Sequence, residues 1–418
     1  MPDTDPDFTG LRVAVIHYWL VGMRGGEKVL EEILRLFPNA DIYTHVCDRD
    51  SISPSIAAHR ISETFIARLP GARRHYQKYL GLMPRALEEL DLRGYDLIIS
   101  SESGPAKGVI APPGSVHVSY VHTPMRYIWD HYPDYAARLG RPARAYFSRL
   151  AHKLRQWDVS TASRVDRFVA NSNFVADRVR RYYNRDADVV HPPVDLNAYG
   201  LGAADGPRDY FLFVSELVRY KRADIVIEAF RKLNLPLVIV GDGEERATLS
   251  KDLAPNVKML GRVPFADLPG IYQHARALIF PGEEDFGIVP IEAMACGTPV
   301  IAYGRGGALD SVVDGVTGLF FDQQDVGSVI KAVQTFDRDA ERFDAGRIAL
   351  HAQGFSAARF RAEFAQVVHR ALLERTSGHG QSAAHVMRLA PSDRQSPVDH
   401  TATPIRVDAR QIENGRSA

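Results

Sequence analysis

Gly282-Glu283-Glu284-Asp285-Phe286-Gly287-Ile288-Val289-Pro290-Ile291-Glu292-Ala293-Met294-Ala295-Cys296-Gly297-Thr298-Pro299-Val300 reads as a strand end, an acidic loop, a short helix opening with Pro290, and a second strand. Proline suits the first turn of a helix, where no intrahelical donor is lost. Gly287 and Gly297 bracket the helix as its entry and exit. Two carboxylates, Glu284 and Glu292, then lie near the carboxyl end of a strand and a helix N-terminus. Open α/β sheets bind ligands there, and a helix N-terminus favours an anionic group such as a phosphate.

The same alternation extends outward from this stretch. Residues 11–20 read as a buried first strand, followed by the turn Gly22-Met23-Arg24-Gly25-Gly26 and a helix over 27–37. Further strands are expected at 41–46, 96–100, 117–122, 167–170 and 188–191. Residues 200–208, small and polar, read as a flexible linker. A second series follows, with strands at 210–215, 237–240, 257–260, 277–280 and 299–302 and helices over 223–233 and 244–253. A long helix over 356–376 closes the pattern, and 377–418 has the composition of a disordered tail. Strands alternating with helices imply parallel sheets covered on both faces, and 418 residues exceed one ordinary core. The expectation is an α/β chain of two Rossmann-like domains, 1–199 and 209–376, facing each other across a cleft.

Composition narrows the functional classes. Lys+Arg 51 balances Asp+Glu 51, so no global field favours nucleic acid. Cys47 and Cys296 give no disulfide framework and suit a reducing cytoplasm. No apolar run reaches membrane-spanning length, and the acidic first residues are unlike a secretory signal. A cytoplasmic protein is expected, free or on the inner face of a membrane.

The Glu284 to Glu292 spacing, followed by Ala293-Met294-Ala295-Cys296-Gly297-Thr298-Pro299-Val300, resembles the retaining glycosyltransferases of family 4, which have the GT-B fold. The resemblance spans roughly residues 11–375. With His122-Thr123-Pro124-Met125-Arg126-Tyr127, the turn at 23–28 and Leu217-Val218-Arg219-Tyr220-Lys221-Arg222, the chain is most similar to bacterial mannosyltransferases of surface polysaccharide assembly. The resemblance implies GDP-mannose as donor and a catalytic pair, with Glu284 meeting the transferred sugar and His122 hydrogen-bonded to it. Glu292 would hold the ribose, and Lys221 the diphosphate. The family also places an arginine five residues before that lysine; Glu216 stands there, so Arg219 or Arg222 would substitute. Backbone donors of Gly25 and Gly26 would reach the same phosphates from the other domain. Gly241, Arg262, Val263 and the helix entry Phe286, Gly287, Ile288 and Val289 complete the implied donor site. Arg126 and Tyr127 offer polar and aromatic surface to the acceptor.

Each sign also has an ordinary reading. A glycine-rich turn after a first strand recurs in every Rossmann-like fold, and a lone histidine is more often a core residue. The absence of G-x-G-x-x-G after the first strand argues against a dinucleotide dehydrogenase. Asp48-Arg49-Asp50 and Asp186-Ala187-Asp188 match Asp-x-Asp by chance, and neither metal nor cofactor is expected. Basic and aromatic stretches at 68–85 and 141–155 suit an anionic membrane surface or a lipid-diphosphate-linked saccharide acceptor. Two other readings compete: a sugar-nucleotide 2-epimerase of the same fold, and a catalytically silent sugar-nucleotide-binding module, which the replacement at Glu216 favours.

Overall fold

The structure is a computed structural model and describes residues 6–202 and 207–378. The apolar runs of the first half become β1 (Val13–His17), β2 (Asp41–Thr44), β3 (Ile61–Glu63), β4 (Leu97–Glu102), β5 (Val116–Val121), β6 (Arg167–Ala170) and β7 (Ala187–Val189). Those of the second half become β8 (Tyr210–Val214), β9 (Leu237–Val240), β10 (Val257–Gly261), β11 (Ala275–Phe280), β12 (Val300–Tyr303) and β13 (Gly318–Phe321). The sheets run β3-β2-β1-β4-β5-β6-β7 and β10-β9-β8-β11-β12-β13, and every pairing is parallel. β1, β4 and β5 are buried along their whole length, as strands covered on both faces must be. In each sheet the strand order reverses once, between β1 and β4 and between β8 and β11. Those reversals open crevices at the carboxyl ends of the strands.

Six helices matter for the site: α1 (Gly25–Leu36), α2 (Arg141–Thr161), α3 (Asn173–Tyr183), α4 (Ala223–Leu233), α5 (Ile288–Ala295) and α6 (Ala357–Gly378). α1 buries Val29, Leu30, Ile33 and Leu34, one face at helical spacing, against β1 and β2. α6 follows the second sheet in sequence yet packs on the first: Phe360, Phe364, Val367 and Val368 share a core with Val15, Val118 and Tyr120. Arg359 donates to the His191 carbonyl at 3.0 Å, and Arg361 pairs with Glu32 of α1. The chain thus closes by strapping its second half back onto its first.

Several expectations need correcting. The helix in the 282–300 stretch begins at Ile288, so Pro290 is its third residue. The helix expected over 244–253 contracts to Arg246–Leu249; the Ser250 hydroxyl bonds the Arg246 carbonyl at 2.7 Å, ending the helix locally. The edge strands β3 and β13 were not anticipated, being too short to show a pattern. The basic stretch at 141–155 is part of the longer α2. Within the expected flexible linker, Arg208 is pinned by the Ala275 carbonyl at 2.9 Å and Thr298 at 2.8 Å, while 203–206 lie outside the described residues. The expected tail likewise lies outside them from 379 onward, α6 continuing to Gly378.

Candidate active site

The two crevices face each other and form one cleft of about 330 Å³. Its first wall comes from the switch between β1 and β4, whose register sets His17 beside Ser101. The His17 Nδ1 lies 3.0 Å from Ser101 Oγ, and the same oxygen lies 2.9 Å from His122 Nε2. At the other end, His17 Nε2 lies 3.4 Å from the Glu27 carboxylate, which also accepts the Arg24 N–H at 2.8 Å. The carboxylate only accepts, so the His17 Nε2 presents a proton to it. The Ser101 hydroxyl stands between the two rings, able to donate to one while it accepts from the other. Burial, helped by the nearby His17, pushes the His122 pKa down to about 3, so the ring is neutral at physiological pH.

A buried ionic cluster supports this wall. Lys107 Nζ bonds Glu102 at 3.0 Å and also Asp158, whose other oxygen accepts from Trp129 at 2.8 Å and Tyr183 at 3.0 Å. The Glu102 carbonyl accepts the His122 N–H at 2.8 Å, so the cluster fixes the His122 backbone. Burial raises the Glu102 carboxyl to about 7 despite Lys107.

The second wall comes from the switch between β8 and β11. Lys221, on the short turn after β8, pairs with Glu284, on the loop after β11. The Glu284 carbonyl accepts the Gly307 N–H at 2.8 Å, which holds the acidic loop in place. Gly287 caps α5 with φ +88°, and a Cβ there would lie 2.9 Å from the Phe280 ring, so glycine is required. α1 and α5 both begin at the cleft, Gly25 lying against Ile288. Two helix N-termini thus offer unpaired N–H groups to one space, an arrangement suited to an anion.

The cleft lining brings together Gly25, Gly26, His122, Arg126, Lys221, Glu284, Phe286, Gly287, Ile288 and Val289 from the sequence reading. Other members of that reading lie outside it. Tyr127 is half-buried, its hydroxyl turned inward without a hydrogen-bond partner, and it is not among the lining residues. Arg222 pairs with Asp224 at 3.0 Å and donates to the Gln324 carbonyl at 3.2 Å. Gly241 has φ +140° and backs onto the Ser215 carbonyl, a structural reason for glycine. Arg262 is exposed and Val263 packs on the second-domain core. Glu292 is buried and accepts from Tyr272 at 3.0 Å; burial raises its pKa, offset in part by Lys28 and the Tyr272 and Tyr199 hydroxyls. Glu216 is exposed and is not among the lining residues.

The sequence reading missed His17, Ser101, Asp285 and Arg178. Asp285 binds both Arg126 and Arg178 of the first domain, and its carbonyl accepts from Ser172. A pairing between positions so far apart leaves no local pattern. Among the described residues, no group of His, Cys, Asp or Glu is arranged to hold a metal ion. No described helix is long and apolar enough to cross a membrane.

Comparison with known proteins follows the two-domain division. Residues 23–198 match the Glycosyltransferase Family 4 model, and residues 202–345 match the model for Glycosyl transferases group 1. The D-inositol 3-phosphate glycosyltransferase of Mycolicibacterium smegmatis is 32% identical over 46% of this chain and 50% of its own. The protein of that name from an Arthrobacter species is 30% identical over 52% of this chain and 59% of its own. The chain thus spans about half the length of the curated relatives it matches. In three dimensions, Anabaena HepE in complex with UDP aligns with TM-score 0.64 at 18% identity, over 86% of this chain and 99% of that one. Sucrose-phosphate synthase from Thermosynechococcus elongatus aligns with the same TM-score of 0.64, at 18% identity, over 87% and 100%. The fold is GT-B. The curated relatives are inositol-phosphate glycosyltransferases by name, not the surface-polysaccharide mannosyltransferases that the motifs resemble.

Proposed function

We propose, for a chain that joins a Glycosyltransferase Family 4 domain to a Glycosyl transferases group 1 domain, the activity of a retaining glycosyltransferase using a nucleoside-diphosphate sugar. The observation that carries the reading is the cleft itself: His122 and the start of α1 face Lys221, Glu284 and the start of α5. Helix N-termini and Lys221 suit a diphosphate, and Glu284 and the neutral His122 ring suit sugar hydroxyls. In the proposed reaction the bond from anomeric carbon to diphosphate oxygen breaks as an acceptor oxygen attacks from the same face. The hydroxyl proton passes to the departing phosphate. The protein supplies position and charge stabilisation.

For the donor we favour GDP-mannose, on motif resemblance. For the acceptor we favour a lipid-diphosphate-linked saccharide of a surface polysaccharide, bound with the protein at a membrane surface. A groove of about 1270 Å³ on the first domain supports this, lined by Lys78, Arg149, Lys153 and Arg155 beside Tyr79, Leu82 and Tyr146. Cations set among apolar groups match an anionic headgroup above acyl chains. The relatives' name makes an inositol phosphate the competing acceptor. No metal or cofactor enters the proposal.

The test is thermal stabilisation by GDP, GDP-mannose, UDP, UDP-glucose and UDP-N-acetylglucosamine without added metal, followed by transfer assays with both acceptor classes. Stabilisation by the guanosine compounds alone supports the mannosyl reading; uridine compounds alone would replace the donor. Glu284→Gln should lower turnover about 100-fold or more while the protein stays folded. Undiminished turnover in that variant would remove Glu284 from the chemistry.

A further inference from the structure

We infer that Arg126 is the second cation for the donor's diphosphate, reaching from the first domain to fill the role left vacant by Glu216. This rests on the glycosyltransferase reading above. A diphosphate carries more charge than one lysine neutralises, and the planar guanidinium binds two phosphate oxygens at once. Among the described residues that line the cleft, only Lys221 and Arg126 are cationic. Both lie against one ring: Lys221 Nζ is 5.2 Å from the Tyr220 centroid and the Arg126 guanidinium is 6.0 Å from it. The nearer sequence candidates are elsewhere, Arg222 being held by Asp224 and Arg219 lying exposed outside the lining.

The partners of the two cations point the same way. Lys221 pairs with Glu284 and Arg126 with Asp285, consecutive residues of one loop. Without a ligand, therefore, adjacent carboxylates neutralise both cations. An entering diphosphate takes both over. Asp285 is prepared for the exchange because it keeps a second cation, Arg178. The Arg178 side chain is 9% exposed and is itself fixed by Asp130 at 2.7 Å and Thr123 at 2.9 Å. Arg126 is 26% exposed and is the member free to turn. When Arg126 leaves, the buried Asp285–Arg178 pair still joins the domains. Glu284, released from Lys221, is left facing the sugar.

The experiment measures binding of GDP against GMP, and UDP against UMP, to wild type, Arg126→Ala, Asp285→Asn and the double variant Glu216→Arg/Arg126→Ala. Arg126→Ala should weaken the diphosphate about 10- to 100-fold and the monophosphate little. Asp285→Asn takes the carboxylate charge from both Arg126 and Arg178 but leaves the Arg126 guanidinium in the cleft, so its preference for diphosphate over monophosphate should stay at least as large as in wild type. Glu216→Arg should restore much of the loss in the double variant. Equal losses of that preference in Arg126→Ala and Asp285→Asn would mean a merely structural pair and overturn the inference. Unchanged diphosphate binding in Arg126→Ala, with a raised acceptor KM, would return Arg126 to the acceptor and also overturn it. If wild type binds no nucleoside diphosphate, the glycosyltransferase reading itself fails, a result distinct from both.

Discussion

The two domains share a topology but build their interiors differently. Among the described residues, 19 buried polar or charged side chains lie in the first domain and 4 in the second. The first sheet carries its chemistry inside: His17, Ser101 and Glu102 end buried strands, and Lys107 and Asp158 sit beneath them. The second sheet has an apolar core and presents its chemistry on the rim, through Lys221, the 284–285 loop and the start of α5. Buried polar groups need partners, so the first domain is tied to a far larger buried hydrogen-bond network than the second, where Glu292, Tyr272 and Thr298 form a smaller one. The second domain can change its rim without disturbing its core, which is how Glu216 can replace an expected arginine.

Acid should split the domains widely. Burial lowers His45 and His117 to about 4 and His122 to about 3. All three belong to the first sheet and its loops. A histidine depressed in the folded state stabilises fully above its unfolded value of about 6.5 and loses that contribution as pH falls toward the folded value. Between pH 7 and pH 5 the three histidines should together remove roughly 5 kcal/mol, offset by about 2 kcal/mol from Glu102, whose raised carboxyl takes up a proton in the folded state over the same window, so that the first domain loses about 3 kcal/mol. Urea unfolding followed with tryptophan fluorescence checks this, since Trp19, Trp129 and Trp157 all lie in that domain. A flat stability from pH 7 to 5 would break the comparison.

The same contrast explains what could be read from sequence. β9 and α4 match their expected limits because β9 is an unbroken apolar run and α4 buries Val226, Ala229 and Phe230 at helical spacing. β4 was expected to end at Ser100, yet it continues through Ser101 and Glu102, whose polar side chains imitate a loop. Reading a loop there hid the Ser101 hydroxyl that joins His17 to His122. His17 passed as one more member of a buried strand, since burial and a functional partner look alike in sequence. Glu284, Lys221 and His122 were legible through their motif surroundings. Asp285 sat inside the most informative stretch and was still missed, because its partners Arg126 and Arg178 come from the other domain.

A comparable effect concerns Lys107. Lys107→Met leaves Glu102 and Asp158 buried without their cation, which should cost about 3–5 kcal/mol in denaturant unfolding. In the second domain, Arg276→Met breaks a pair with Asp337 in which both side chains are about 30% exposed. Its cost should stay below about 1 kcal/mol. Equal costs would show that the polar interior of the first domain is incidental to its stability.

Ser101→Ala probes the link between His17 and His122 more gently. It removes the hydroxyl that joins His17 to His122 while both rings stay in place. The His122 ring then loses its Ser101 hydrogen bond, and turnover should fall about 10- to 100-fold with little change in donor KM. A purely packing role for Ser101 would lower stability and leave kcat alone.

The smallest effects test which contacts hold the domains together. Asp310 of the second domain accepts from the Asn173 N–H at 2.7 Å and its side-chain amide at 2.8 Å, at the start of α3. An anion at a helix N-terminus is well placed, so Asp310→Ala should cost about 1 kcal/mol. Arg138 and Glu244 also span the domains, at 3.4 Å, but both are more than half exposed. Solvent and salt screen such a pair, and Arg138→Ala should change the melting temperature hardly at all. If it instead loosened nucleotide binding, the cleft would be closed at its rim. Closure there would contradict the division drawn above, because the contacts that matter would be solvated charges and not the buried Asp285–Arg178 pair.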